Sequence, residues 1–456
     1  MSIFREYDIR GVYGQDLTEA IAEQIGRAYG TYILRDAPRP LAPGAGAVAV
    51  GYDIRPSSPA LREALIDGML STGLNVVDIG ACPTPTLYFA LFDLPVSGGV
   101  MITASHNPSE FNGFKLCAGS MPLSGEEIQR LCQRITQHDY AHGAGRLTVA
   151  NGFLNRYADH IVARFQSHSP PQTFVMDCGN AAAALIAPEI MRRLGHTVIP
   201  LYCEPDGRFP NHHPDPTVPQ NMKDLIAEVK RQGADLGVGF DGDADRLGVV
   251  DEQGRLIGGD YLTLLFATDI LKKHPGSTII SEVKASQVLY DEIARLGGVA
   301  IMWKAGHSLI KKKMKETGAL LGGEVSGHLF FRDRHEGYDD AIYAACRLLE
   351  MTSGHPLSSY FSHLPECVAT PEIRVDCADD LKFKVVEQCK AYFGTRYPTL
   401  DVDGVRILFE GGWGLIRASN TQPALVLRFE ARNPAQLKEF EQRTRRDLAG
   451  IFQNGV

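Results

Sequence analysis

The chain has no apolar run long enough to cross a bilayer, no cysteine pair spaced Cys-x-x-Cys and no excess of basic charge. A spanning helix needs roughly 20 consecutive apolar residues, so no membrane segment is expected. Nine cysteines, an odd number scattered along the chain, argue against a disulfide framework or a zinc ribbon and read as reduced core residues. A net charge of −8 provides no broad footprint for nucleic acid or an anionic membrane surface. The densest basic cluster, Lys311 to Lys315, falls on a predicted helix with Leu309, Ile310 and Met314 facing inward, which makes the lysines a solvated face. The first residues carry charges where a secretory signal would have its apolar core, so a cytoplasmic location is expected. The Gly-x-Ser-x-Gly elbow of serine hydrolases is also missing.

What is present suits a soluble α/β protein: 456 residues, 44% apolar, 22% charged, with 46 glycines. The length implies roughly three domains. Three segments share one grammar: Val48–Asp53 to Val76–Gly80, Phe174–Asp177 to Val198–Tyr202, and Ile279–Glu282 to Val299–Trp303. In each, a buried strand ends in an acid, a helix follows, and a glycine (Gly73, Gly195, Gly297) turns the chain into a second strand. That is a βαβ unit repeated three times, which builds mostly parallel sheets with right-handed crossovers.

A third strand in each repeat runs into a polar loop. Gly99–Ile102 leads to Thr-Ala-Ser-His-Asn-Pro at 103–108, Leu236–Phe240 to Asp-Gly-Asp-Ala-Asp-Arg at 241–246, and Ala319–Gly322 to Gly-Glu-Val-Ser-Gly-His at 323–328. Open α/β sheets bind ligands at the carboxyl ends of their strands, so three equivalent loops around one cleft would form a single site.

Asp241, Asp243 and Asp245 alternate with tiny residues, and carboxylates this close repel one another unless a cation sits among them. Hard oxygen donors suit Mg²⁺ or Ca²⁺ better than Zn²⁺. With Glu252 at the twelfth position the spacing imitates a calcium EF-hand, but Arg246 stands where that loop needs glycine and the flanks read as strands. Gly237, Gly239 and Gly242 satisfy a literal Gly-x-Gly-x-x-Gly without the helix that dinucleotide binding requires, and Gly44–Ala49 precedes its strand, so no nucleotide cofactor is expected. Ser105 lies on a turn set by Asn107-Pro108 and reads as exposed, and a serine near a hard metal suits phosphoryl better than acyl chemistry. His212-His213 in a proline-rich loop lacks further ligands and reads as structural or as a cleft rim. After residue 368 a smaller α+β domain follows, in which Arg417, Ser419, Asn420 and Thr421 form a fork of donors for a phosphate.

Taken together, Tyr7–Gly11, Thr103–Pro108, Asn112–Lys115, Asp241–Arg246, Lys304–Ser308, Gly323–His328 and Arg417–Thr421 resemble the α-D-phosphohexomutases, in particular their bacterial phosphomannomutase/phosphoglucomutase branch. The resemblance implies three similar mixed-sheet α/β domains (1–148, 149–253, 254–367) and a C-terminal α+β domain (368–456) around a central cleft. It implies a phosphoryl group on Ser105, with Mg²⁺ held by that group and by Asp241, Asp243 and Asp245. The reaction would convert hexose 1-phosphate to hexose 6-phosphate through a hexose 1,6-bisphosphate, which also acts as activator. Arg246 would hold substrate, Glu324 and Ser326 would bond sugar hydroxyls beside His328, and Arg417, Ser419, Asn420 and Thr421 would grip the phosphate that is not transferred. Tyr7, Arg10, Lys115, Lys284 and His307 would line the cleft, with Lys115, His106 or His307 as the base. Ala104 and Ala244 stand where some relatives have glycine. The partners would be small hexose phosphates, and the sequence does not fix an oligomeric state. Three rivals stay open: a phosphoglucosamine mutase, a metal phosphatase with Asp241 or Asp243 as nucleophile, and a non-catalytic sugar-phosphate binder.

Overall fold

The computed structural model describes residues 3–38, 46–165, 170–419 and 423–455. The chain divides into two compact units, one formed by Met1–Leu262 with Ser326–Tyr360 and the other by Thr263–Val325 with Phe361–Val456.

In the first unit, the strand Ala47–Tyr52 pairs in parallel with Asn75–Ala81 and Val96–Ile102. Helix Ser58–Leu70 forms the crossover, and Gly73, at φ +91°, allows the left-handed turn into the next strand. Phe111–Ala118 returns antiparallel to Val96–Ile102, so the loop 103–110 is a strand-to-strand connection at the carboxyl end of the parallel strands. The second sheet repeats this plan: Thr173–Asp177 is parallel to Thr197–Leu201 and to Leu236–Phe240, and Leu247–Asp251 returns antiparallel. All five residues of Leu236–Phe240 are buried, which explains a strand written without polar alternation. Strands on both sides of 241–246 exclude the EF-hand.

In the second unit, Thr278–Glu282 is parallel to Val299–Trp303 and Leu321–Gly323. The expected strand Ala319–Gly322 therefore begins two residues later. The C-terminal domain is largely antiparallel, with Ala424–Ala431 paired to Gly412–Ala418 and to Ile373–Asp376. Helices Lys382–Gly394 and Pro434–Gly455 contribute Val385, Cys389, Phe393, Phe440 and Leu448 to a core with Ile407, Ile416, Leu427 and Phe429. Buried Arg406 donates to the carbonyls of Val283 (2.7 Å) and Ala285 (2.9 Å), tying this domain to the preceding repeat. Three mixed-sheet α/β repeats and a C-terminal α+β domain thus match the expected fold class.

The lysine cluster departs from its reading as a solvated face. On helix His307–Thr317, Lys312 and Lys315 are exposed, but Lys311 is only 7% exposed and Lys313 lays its ammonium 4.1 Å from the Trp303 ring centroid. Charge counting overlooked that long lysine stems cover apolar surface.

Candidate active site

The loop 103–108 is held from both sides. Ser105 has φ +50°, a left-handed conformation costly for a residue with a Cβ, and its backbone N–H donates to Thr103 Oγ1 (2.9 Å). The serine, expected to be exposed, is only 2% exposed. The cause is the aspartate loop lying on it: a Cβ at Gly242 would stand 2.0 Å from the Ser105 carbonyl oxygen, so only glycine permits this approach. Ser105 Oγ donates to Asp241 Oδ2 (2.8 Å) and lies 3.2 Å from His106 Nδ1. Beneath, buried Arg55 donates to the carbonyls of Ser105 (2.7 Å), Asn107 (2.7 Å), Pro108 (2.5 Å) and Phe111 (3.0 Å), with its Nε on Asp53 Oδ2 (3.1 Å).

Asp241, Asp243 and Asp245 are all fully buried. Asp241 Oδ1 accepts from the backbone N–H of Asp245 (3.0 Å) and Arg246 (3.1 Å), folding the loop onto itself. Asp243 Oδ2 accepts from Thr84 Oγ1 (2.5 Å) and from Lys115 Nζ (2.6 Å), and Lys115 also bonds Asp245 Oδ2. Ala244 adopts φ +61°, which explains why glycine suits this position. Ala244→Gly is expected to leave the loop in place and change stability by no more than about 1 kcal/mol, in the stabilising direction, as read by the melting temperature.

The charges are unbalanced. Burial, then repulsion from Asp245 and Asp243, push the Asp241 carboxyl well above the usual carboxylate range. Burial also acts to raise Asp243, but the Lys115 ammonium outweighs it and holds that carboxyl well below the usual range. Burial lowers the Lys115 ammonium less than Asp243 and Asp245 raise it, so the amine keeps its proton. One lysine cannot balance three buried carboxylates. Asp243 Oδ1 and Asp245 Oδ1 are buried without a hydrogen-bond partner, and the three side chains offer oxygens within 4.8 Å of one another. An all-oxygen donor set with orphaned buried oxygens fits a hard divalent cation.

Arg246 Nε donates to His328 Nε2 (3.0 Å), and His328 Nδ1 lies 3.0 Å from Asp339 Oδ2 and 3.5 Å from Asp245 Oδ1. His328 thereby orients Arg246. Burial first, then the Arg246 and Arg10 charges, push the His106 imidazole well below its ordinary value, so it stays neutral. Arg10 donates to Asn107 Oδ1 (2.6 Å) and Asp8 Oδ2 (2.5 Å), next to half-buried Tyr7. Ser326, also half-buried, belongs to this unit.

The second unit gathers Lys284, Glu324, His307, Arg417 and Ser419 among residues of their own. Glu324 Oε1 accepts from the Gly306 N–H (2.7 Å), joining the loops 304–308 and 323–328. Lys284 donates to Glu372 (2.6 Å) and lies 3.3 Å from Glu282. Burial pushes the Glu282 carboxyl up to about 7 against the pull of Lys284, whereas Lys284 brings Glu372 down to about 2. Arg417 Nε donates to Asp403 Oδ2 (3.0 Å), and Ser419, 7% exposed, donates its N–H to the Ala424 carbonyl (2.9 Å). Asn420 and Thr421 lie outside the described residues.

Sequence reasoning missed Arg55, Thr84, Glu282, Asp339, Glu372 and Asp403. Arg55 left a signal in Asp53-Ile-Arg55 at a strand's carboxyl end, and Glu282 left one as the acid that ends its strand. His212 proves structural: Nε2 faces Asp177 Oδ2 (3.0 Å) and Nδ1 the His213 carbonyl (2.8 Å). Burial lowers its pKa less than Asp177 raises it, so the net shift is upward. The folded state therefore binds this proton more tightly than the unfolded one. Its contribution is complete below the unfolded value of about 6.5 and fades as pH rises through the folded value. The melting-temperature gap between the wild type and His212→Gln should accordingly be largest in mild acid and shrink towards alkaline pH.

Family models of phosphoglucomutase/phosphomannomutase match in chain order: alpha/beta/alpha domain I over residues 1–142, domain II over 155–254, domain III over 258–367, and the C-terminal domain over 372–446. The chain belongs to the phosphoglucomutase/phosphomannomutase family. It is a phosphohexomutase. A phosphomannomutase/phosphoglucomutase of Pseudomonas aeruginosa is 48% identical over 454 residues, 99% of this chain and 96% of that one. A phosphoglucomutase of Neisseria gonorrhoeae is 42% identical, covering 97% and 95%. The crystal structure of a Burkholderia thailandensis member of the family superposes with a TM-score of 0.91 at 38% identity, covering 100% of this chain and 98% of that one. The strand-end loops 103–108 and 241–246 touch through Ser105 and Asp241.

Proposed function

We propose that this phosphohexomutase interconverts the 1-phosphates and 6-phosphates of mannose and glucose, with Ser105 carrying the phosphoryl group between them. The observation that supports it most is the Ser105–Asp241 hydrogen bond within a loop held by Arg55. The phosphoryl group passes from Ser105 Oγ to the free hydroxyl of a hexose phosphate, giving a hexose 1,6-bisphosphate. The bisphosphate returns its other phosphoryl group to Ser105, and added bisphosphate primes enzyme that has lost its own. Asp241, Asp243 and Asp245, with phosphorylated Ser105, would hold Mg²⁺, which when bound neutralises charge on the transferring group.

The side chains have separate tasks. Lys115 bridges Asp243 and Asp245 as their countercharge. Neutral His106, 3.2 Å from Ser105 Oγ, moves the proton at that oxygen. Arg246, oriented by His328, binds phosphate oxygens, and Arg10 and Tyr7 contribute beside it. Glu324 bonds sugar hydroxyls, and Ser326 does likewise. Lys284, His307, Arg417 and Ser419 bind substrate, with Asn420 and Thr421 completing the phosphate grip. The domains are taken as 1–148, 149–253, 254–367 and 368–456. No described helix is long and apolar enough to cross a membrane.

The phosphatase reading needs a carboxylate free to attack. Asp241 already accepts from Ser105 and two backbone N–H groups, whereas Asp243 keeps Oδ1 without a hydrogen bond, so the products decide between the readings. The deciding assay supplies glucose 1-phosphate, mannose 1-phosphate or glucosamine 1-phosphate with Mg²⁺ and a trace of hexose 1,6-bisphosphate. The expected products are the glucose and mannose 6-phosphates, without matching inorganic phosphate. Free phosphate as the main product would refute the mutase reading, and glucosamine phosphate as the preferred substrate would move it to the other branch.

A further inference from the structure

Outside the phosphoryl-transfer site, two of the nine cysteines meet. Cys178 follows strand Thr173–Asp177 and Cys203 follows the neighbouring parallel strand Thr197–Leu201, and their Sγ atoms are 3.3 Å apart. Cys178 is fully buried, whereas Cys203 is partly exposed. We propose that Cys178 and Cys203 are a modification site, a thiol pair that a hydroperoxide converts reversibly into an intramolecular disulfide.

The arrangement separates the two roles such chemistry requires. Cys203 is the reachable thiol, and the hydrogen bond with Cys178 lowers its pKa from the ordinary value, while burial pushes Cys178 well above its own. An accessible thiol with more thiolate character is the one that attacks peroxide. The Cys203 thiolate attacks one peroxide oxygen, the O–O bond breaks, the leaving hydroxide takes a proton, and Cys203 becomes a sulfenic acid. Cys178 then attacks that sulfur, the S–O bond breaks, and a second water leaves with the disulfide in place. Two thiols and one hydrogen peroxide thus give one disulfide and two waters. A disulfide needs the sulfurs at about 2.05 Å, an approach of little more than an ångström from their present contact. Among the described residues, neither cysteine belongs to a three-ligand group able to hold a metal.

The pair also adjoins the aspartate loop. The Asn180 N–H donates to the Tyr202 carbonyl (2.8 Å) and the Ala182 N–H to the Gly242 carbonyl (3.3 Å), so the segment carrying Cys178 is bonded to both neighbours. Asn180 and Tyr202 hold φ +57° and +52°, a backbone with little freedom to absorb a new cross-link. Oxidation is therefore transmitted to the loop of Asp241, Asp243 and Asp245 and lowers mutase activity.

The test treats the full chain with a small molar excess of hydrogen peroxide, maps peptides without reduction, and assays activity before and after dithiothreitol. The expected result is one linked peptide pair joining Cys178 to Cys203, a several-fold loss of activity, and recovery of both on reduction. Cys178→Ser should instead leave a Cys203 sulfenic acid that dimedone captures, and Cys203→Ser should keep its activity through the treatment. Wild-type protein whose Cys178 and Cys203 stay reduced under peroxide that oxidises free cysteine would overturn the proposal, whatever the variants do. A disulfide joining other cysteines, or a Cys178–Cys203 bond that leaves activity unchanged, would overturn it equally.

Discussion

Ser105→Ala is expected to lower mutase turnover at least ~10³-fold while leaving the fold intact, because losing a group that bonds covalently to the transferring group removes the pathway rather than weakening one contact. The hydroxyl is the only part of Ser105 that bonds Asp241. Its backbone is placed independently, by Thr103 Oγ1 on its N–H and by Arg55 on its carbonyl. Ser105→Gly separates chemistry from strain: it should be just as inactive, yet melt no lower than Ser105→Ala, since glycine tolerates φ +50°. Steady-state assay and thermal melting of both variants check this. Substantial turnover in either would show that Ser105 is not the phosphoryl carrier.

Arg55→Ala carries the largest expected loss of stability, about 3–5 kcal/mol, typical of breaking a buried ion pair from one side. Arg55 and Asp53 are 0% and 1% exposed as side chains, so removing the guanidinium leaves a buried carboxylate without its countercharge. It also deprives four carbonyls, at Ser105, Asn107, Pro108 and Phe111, of their donor. Arg55→Lys keeps the charge but cannot span four carbonyls and an acid with one compact ammonium. Activity should fall in both variants, more steeply in Arg55→Ala, with new proteolytic cleavage within 103–111. A melting temperature near wild type for Arg55→Ala would show that the loop holds its shape without the guanidinium.

The parts legible in the sequence were those set by periodicity and local composition. The βαβ repeats announce themselves through apolar runs and glycines such as Gly73, whose left-handed φ is a local requirement. The three aspartates were legible because their spacing is extreme. The burial of Ser105 was not, because it arises from a residue far away in the chain: Gly242 lets the aspartate loop settle on the Ser105 carbonyl. The same limit hid Thr84 and Asp339, whose partners Asp243 and His328 lie on other loops. Lys115 was legible as a cleft residue, but its bonds to Asp243 and Asp245 were not, since those carboxylates lie on another loop. Lys311 was misjudged for a related reason, since a run of lysines does not reveal which stem lies on the helix's inner face.

Ser105 is proposed to carry the phosphoryl group in transit. Intact-mass measurement with phosphopeptide mapping, made on protein incubated with glucose 1,6-bisphosphate and on Ser105→Ala treated alike, tests it most directly. One added phosphoryl group is expected on Ser105 in the wild type, discharged by excess hexose phosphate, and none in the variant. A phosphoryl group found on Asp241 or Asp243, or one retained in Ser105→Ala, would contradict it.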